Sequence, residues 1–200
     1  MSEPDAGNPI VMIRGDKVGL GPIRRDLITT YQRWFNELRV TRTLDLPSRP
    51  ITFEDETSWF ESAATGATVF FTIYELATMR PIGNLDLRNI DHYNGTAEYG
   101  IAIGEIDAWG KGYGTEATRL MLAYAFDVLG LHNVQLAVYT TNPGGQRAYE
   151  RAGFKRSGIR RGGIRVGRER YDIIYMDATA DDIQPGELHA IMHPGIAGAD

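Results

Sequence analysis

The chain has 200 residues, with 21 Lys and Arg against 26 Asp and Glu, a formal charge of -5. At 42% hydrophobic and 24% charged residues it is an ordinary globular composition, long enough to bury a core. The absence of cysteine excludes disulfides, thiolate metal sites and a thiol nucleophile. Net acidity leaves no overall basic surface, so a nucleic-acid partner is not expected, and no apolar run approaches the roughly 18 residues that cross a bilayer. The opening MSEPDAGNPI is acidic and polar and lacks a signal-peptide core. A cytoplasmic protein with no membrane association is the expectation.

Residues 1–9 and 179–200 read as tails around one domain at 10–178. KVGLGPI (17–23) reads as a short strand. A helix is expected from Asp26 to Leu38, with Leu27, Tyr31, Trp34, Phe35 and Leu38 on one stripe, and a second from about Thr52 to Ala64. TVFFTIYE (68–75), PIGNLDLRNI (81–90) and TAEYGIAIG (96–104) are three strands in a row, with Gly83 marking a bulge in the second. A strong helix over Thr115–Leu129 puts Ala117, Leu120, Met121, Tyr124 and Val128 toward the core, and Gly130 stops it. VQLAVYT (134–140) is a strand. Asn142 and Pro143 open a helix that runs to Ala152 and is stopped by Gly153. A basic hairpin follows over 154–177. In the last stretch His189 and His193 stand four residues apart, a metal-compatible spacing on a helix, but Pro194 and Gly195 argue against a long helix, and no metal is expected.

Consecutive strands suggest antiparallel meanders, and the strand–helix–strand unit at 97–140 suggests one parallel right-handed crossover. The expected fold class is α+β: a mixed, largely antiparallel sheet flanked by helices.

The segment AWGKGYGTEATRL (108–120) places Gly110, Gly112 and Gly114 just before a helix. A P-loop requires a glycine five residues before the Gly-Lys pair and a Ser or Thr after it, and both are missing. Gly112 to Ala117 satisfies the dinucleotide fingerprint, but the following strand ends Tyr139-Thr140-Thr141-Asn142 without the ribose-binding acid. A third reading fits: successive backbone N–H groups around 110–115 converge as an anion nest at a helix N-terminus, and glycines let phosphates approach.

With that loop, AEYGIAIG before it and TNPGGQRAYERAGF after it, the chain resembles the GNAT superfamily of N-acetyltransferases, most closely its RimJ/RimL-like branch. The three motifs cover about residues 96–156, and the element order is similar over roughly 10–178. The resemblance implies the GNAT acyl-CoA N-acyltransferase fold and acetyl-CoA as co-substrate, in an opening between the strands at 97–103 and 134–140. Backbone at Ile101, Ala102 and Ile103 would pair with the pantetheine arm. Gly110, Lys111, Gly112, Tyr113, Gly114 and Thr115 would hold the pyrophosphate, with Asn142 and Tyr149 at the thioester end. Trp109 stands where the family usually has Gln or Arg, and Lys111 supplies positive charge instead. The resemblance also allows a homodimer.

The implied reaction moves acetyl to a primary amine: a protein N-terminus, a polyamine, an amino sugar or antibiotic, or an amino acid. Without cysteine the amine attacks directly. A lysine-type amine is neutral in only about one molecule in 2,500 at pH 7, an α-amine in about one in 7, so a base matters most for the former. Glu98 is the candidate base, directly or through water, with Asp86 and Asp91 as substitutes. Tyr149 resembles the family's general acid. Asn142 serves as helix cap, cofactor contact or both. The hairpin carries Lys155, Arg156, Arg160, Arg161, Arg165, Arg168 and Arg170, with Glu169 the only acid from 155 to 170. It is either a solvated face or a site for an acidic acceptor, an RNA-bearing partner or a subunit. Trp34, Phe35, Trp59 and Phe60 lie on the early helices that wall the acceptor pocket in this fold, and core packing accounts for most of them. The alternative to an enzyme is a non-catalytic acyl-CoA-binding or regulatory domain.

Overall fold

The computed structural model describes residues 8–46 and 49–194. Its strands are β1 (Ile13–Arg14), β2 (Val18–Pro22), β3 (Val69–Glu75), β4 (Arg80–Asp91), β5 (Thr96–Ile103), β6 (Asn133–Tyr139), β7 (Lys155–Val166) and β8 (Glu169–Thr179). Its helices are α1 (Ile28–Phe35), α2 (Leu38–Thr41), α3 (Phe53–Thr65), α4 (Tyr113–Ala123), α5 (Pro143–Ala152) and α6 (Glu187–Met192). The strands hydrogen-bond in the order β1-β2-β3-β4-β5-β6-β8-β7. All the registers resolved are antiparallel except β5–β6, the expected parallel pair. The chain divides into two compact units, one made of Met1–Arg88 and Gly100–Ala117, the other of Asn89–Tyr99 and Thr118–Asp200.

In the first unit, Ile28, Tyr31 and Trp34 of α1 and Phe60 of α3 form a buried cluster, with Leu27, Phe35 and Trp59 against it. The four early aromatics therefore pack as core. The Tyr31 hydroxyl sits 2.6 Å from Thr72 Oγ1 on β3, so a buried phenol is satisfied. Gly104 lets Trp34 in: a Cβ there would lie 2.2 Å from the indole. The expected bulge is present, because the β3–β4 register passes from Ile73↔Gly83 to Tyr74↔Pro81 and skips Ile82. The carbonyl of Ile82 accepts instead from Gly104 N and Glu105 N at 2.9 and 3.2 Å. α3 opens on a capping box between Thr52 and Asp55.

The helix expected over 26–38 is shorter. A single 3-10 turn (Arg25–Leu27) precedes α1, which ends at Phe35. The Asn36 amide stops it by donating to Gln32 O at 2.9 Å and to Ile51 O at 2.8 Å. Leu38 consequently leaves the core stripe and is 79% exposed.

In the second unit, β5 pairs with β6 at Thr96, Ala97 and Glu98, and β8 lies between β6 and β7. Tyr99 stacks on Phe154 at 5.9 Å, and its hydroxyl meets Thr118 Oγ1 at 2.9 Å. The helix expected to run to Leu129 changes at Tyr124 into a π-helical turn that ends at Val128. The buried positions are Ala117, Thr118, Met121, Leu122 and Ala125 rather than the expected stripe through Leu120, Tyr124 and Val128. Positions 117, 118, 121, 122 and 125 keep regular helical spacing. The wide turn shifts the phase only from Tyr124 on and takes Val128 off the stripe, and Thr118 is a core residue because Tyr99 satisfies its hydroxyl. Beyond β8 the chain forms a 3-10 turn at Ala180–Asp182 and then α6.

Candidate active site

The glycine loop belongs to the first unit. After β5 the chain makes one 3-10 turn (Ile106–Ala108) and reaches Gly110 at φ 76° and Gly112 at φ 88°. Both lie in the left-handed region that excludes other residues at little cost only for glycine. A Cβ on Gly110 would meet nothing within 4 Å, and one on Gly112 only the Lys17 ammonium at 4.0 Å. Backbone conformation therefore demands these glycines, and the space above them is open. α4 begins at once, and its first intrahelical backbone bond at this end runs from Glu116 N to Gly112 O at 3.1 Å. A helix start of this kind turns backbone N–H groups toward the space before it, a setting suited to an anion.

Side chains around the loop hold it rather than point into it. The Tyr113 hydroxyl donates to Glu75 Oε1 at 2.6 Å, and that bond pushes its pKa up. The Tyr113 hydroxyl proton is thus already engaged, which favours its backbone as the donor to a ligand. Glu75 also accepts from Thr78 at 2.7 Å, and the hydrogen bonds from Tyr113 and Thr78 hold its carboxyl below the usual range. The Glu116 carboxylate accepts from Lys17 N at 2.8 Å and Val18 N at 3.3 Å, fixing the helix start to β2. Lys111 lies 5.9 Å from the Tyr113 ring centre. The Trp109 indole, at the position of the family's Gln or Arg, donates to Ile103 O at 2.8 Å. That carbonyl is engaged, so of the expected pantetheine-pairing backbone the carbonyl of Ile103 has a partner already. Ile101, Ala102 and Ile103 all lie beyond the three-residue β5–β6 ladder.

The thioester-end candidates belong to the second unit. Asn142 is a helix cap: its Oδ1 accepts from Gly145 N at 2.9 Å. Gly145 leaves room for it, since a Cβ there would lie 2.6 Å from the Asn142 amide nitrogen. Tyr149, two turns into α5, packs edge-on against Tyr99 at 6.3 Å and against Phe154 at 6.0 Å. Burial pushes its phenol up to about 12. Glu98 stands between the buried Ala97 and Tyr99 on β5, so strand alternation turns it to the other face of that strand from the ring Tyr149 touches.

Of the substitutes for Glu98, Asp91 is committed to a turn, accepting from Tyr93 N, Asn94 N and the Asn94 amide at 2.9, 3.0 and 2.7 Å. Asp86 is paired with Arg88 at 2.9 Å. Sequence reasoning missed Glu56 on α3, which is 3% exposed and has a buried Oε1 without a partner. Burial, with a smaller push from Asp55, raises its carboxyl to about 7. Its one sequence signal is its place one turn before Phe60 on the core stripe of the helix. The first unit also has a cavity of about 430 Å³ beside α1, lined by Arg33, Trp34, Glu37, Arg39, Glu105 and Asp107 among others. Within it Glu105 accepts from Arg33 at 2.5 Å and from the Trp34 indole at 2.9 Å. Burial opposes ionisation of Glu105, but those two hydrogen bonds outweigh it and hold the carboxyl below its usual range.

Among the described residues no group of three or more His, Cys, Asp or Glu could hold a metal ion. His189 instead meets Asp127 Oδ1 at 2.9 Å. No described helix is long and apolar enough to cross a membrane.

The acetyltransferase (GNAT) domain family matches residues 17–155. The chain belongs to this family. It is 34% identical over 93 residues to the putative ribosomal N-acetyltransferase YdaF of Bacillus subtilis, covering 46% of this chain and 50% of that protein. The chain spans half or less of the length of the curated relatives it matches first. The spermidine N-acetyltransferase of Vibrio cholerae, solved with CoA and spermine, superposes with a TM-score of 0.77 at 21% identity, over 84% of this chain and 98% of that one. Mycobacterium smegmatis RimJ, solved with CoA-disulfide, gives 0.75 at 19% identity over 87% of each chain. Those two likenesses establish the fold, an open and mostly antiparallel eight-stranded sheet with flanking helices. The YdaF and RimJ matches agree with the RimJ-like branch.

Proposed function

We propose that this GNAT protein transfers the acetyl group of acetyl-CoA to a primary amine by direct attack. The observation that carries the reading is the loop at 110–115, where two left-handed glycines turn the chain into the N-terminus of α4 and leave open space above. In this reading Gly110, Lys111, Gly112, Tyr113, Gly114 and Thr115 hold the pyrophosphate, chiefly through backbone N–H groups, and Lys111 adds charge. The neutral amine nitrogen bonds to the thioester carbonyl carbon, the C–S bond breaks and CoA leaves as thiolate. The proton lost by the amine passes to a base, Glu98 directly or through water.

Tyr149 donates a hydrogen bond to the departing sulfur. With its phenol near 12 and a thiol near 8.5, its phenolate is the stronger base by roughly three units. The proton therefore stays on oxygen, and the contribution is a hydrogen bond to developing charge rather than complete transfer. Titration calorimetry with acetyl-CoA, CoA, NAD and ATP, followed by an amine screen read by thiol release, tests the reading. Binding of CoA species alone with acceptor-dependent thiol release is expected. Binding without turnover on any amine would leave the non-catalytic acyl-CoA-binding domain, and binding of NAD or ATP without CoA would overturn both.

A further inference from the structure

The second unit carries a charge concentration that the reaction itself does not use. Residues 160–170 contain Arg160, Arg161, Arg165, Arg168 and Arg170 against the single acid Glu169, in a chain of net charge -5. They occupy the distal half of the β7–β8 hairpin, and β7 is the outermost strand of the sheet order. Two of the five have structural work. Arg160 donates to Gly163 O at 3.0 Å and Arg170 to Gly162 O at 3.2 Å, holding the irregular stretch between Arg160 and Ile164. Arg161, Arg165 and Arg168 are exposed, and among the described residues none has a side-chain hydrogen bond or ion pair. Glu169, which accepts from the Tyr171 hydroxyl at 2.9 Å, can offset only one of these charges.

Edge strands carry charge to discourage unwanted pairing, but that purpose does not call for Arg165 directly opposite Arg170, which is how the register sets them. Like charges so placed cost stability. The location supplies a reason. Asp172 of β8 accepts from Gly162 N at 2.8 Å through its side chain and from Thr140 N at 3.1 Å through its carbonyl. The arginine-bearing bulge is thereby tied to the end of β6, two residues before the Asn142 cap of the helix that carries Tyr149.

Resting on the acetyltransferase reading, we propose that this hairpin selects the acceptor: a polypeptide N-terminus followed by acidic side chains. An acceptor must supply both an aliphatic primary amine and, to match this surface, negative charge. An acidic peptide has both, RNA lacks the amine, and a polyamine is repelled. Arginine forks suit carboxylates in pairs, and charge complementarity of this kind is weakened by salt.

The test compares kcat/KM, by thiol release from acetyl-CoA, for three peptides with one N-terminal residue followed by acidic, neutral or basic residues, and for spermidine. The acidic peptide should exceed the neutral one by about tenfold or more, with spermidine lowest. Raising salt from about 20 to about 300 mM should bring that ratio toward one on the unaltered protein. The combined variant Arg161→Gln, Arg165→Gln, Arg168→Gln should do the same at low salt. Equal rates on all peptides, preference for spermidine, or an acidic preference that survives salt or the variant would overturn the inference and leave the acetyltransferase reading standing. So would an RNA oligonucleotide that blocks turnover at lower concentration than the acidic peptide saturates it, which would give the surface to nucleic acid. Thiol release from none of the amines, with CoA still bound, would remove the acetyltransferase reading itself.

Discussion

Tyr149 and Glu56 show how burial assigns roles that residue type alone does not. A tyrosine held near 12 by burial stays protonated across the working pH range, so its hydroxyl is always a donor. Tyr149→Phe removes that donor and keeps the ring contacts with Tyr99 and Phe154. We expect kcat to fall by about tenfold or more, in line with loss of one transition-state hydrogen bond, with acetyl-CoA affinity nearly unchanged in calorimetry. Unchanged turnover would take Tyr149 out of the reaction. Glu56 makes a prediction about stability. Its folded pKa of about 7 lies above the unfolded value near 4.3. The folded state therefore binds the proton more tightly, and stability contributed by the protonated form is lost as pH rises from about 4.5 through 7. Relative to Glu56→Gln, the protein should lose on the order of 2–3 kcal/mol between pH 4.5 and pH 8. Denaturant unfolding of the two proteins at both pH values checks this, and a parallel pH response would mean that Glu56 finds a partner or water.

At the scale of elements, the loop and its helix separate backbone demands from spatial ones. Gly112→Ala forces an L-residue to φ 88°, a cost of about 1–2 kcal/mol. It should weaken acetyl-CoA binding by tenfold or so, because the N–H directions change. Gly114→Ala, in the helix and 3.7 Å from Ile103, should bind as the parent does, and equal losses in both variants would argue against the nest. The three motifs around this loop were legible because each is short-range: glycine before a helix start, alternation along 96–103, Asn-Pro at a cap. Tertiary partners were not. Nothing in the sequence tells that Tyr113 spends its hydroxyl on Glu75, that Asn36 rather than a glycine stops α1, or that Thr118 is core. Gly104→Ala gives the complementary case, a glycine required by space, where overpacking against Trp34 should cost about 1–3 kcal/mol in equilibrium unfolding.

For the whole molecule, the limits of the folded domain can be argued from contacts rather than composition. The Ala- and Asp-rich sequence after residue 178 reads as a tail, yet Thr179 and Asp182 form a capping box, and Lys155 at the start of β7 pairs with Asp182. Ile183 packs over Gly153, where a Cβ would lie 2.6 Å from its Cδ1. α6 adds the His189–Asp127 contact with the π-turn. These attachments tie the segment to the second unit, and we propose that the domain extends to Ile183, past the expected limit at residue 178. The surface pair is mostly exposed on the lysine side, at 72%, and contributes little. A cap is worth about 1 kcal/mol, and partial burial of one isoleucine about the same. A chain ended after residue 178 should therefore be about 2 kcal/mol less stable than one ended after 183, a fall in Tm of roughly 4–8 °C for a domain of this size. A chain ended after 183 should differ from the full chain by less than that, because α6 has only six residues, none of them fully buried. Calorimetry on the three lengths decides it: equal melting of the 178 and 183 chains would return residues 179–183 to the tail.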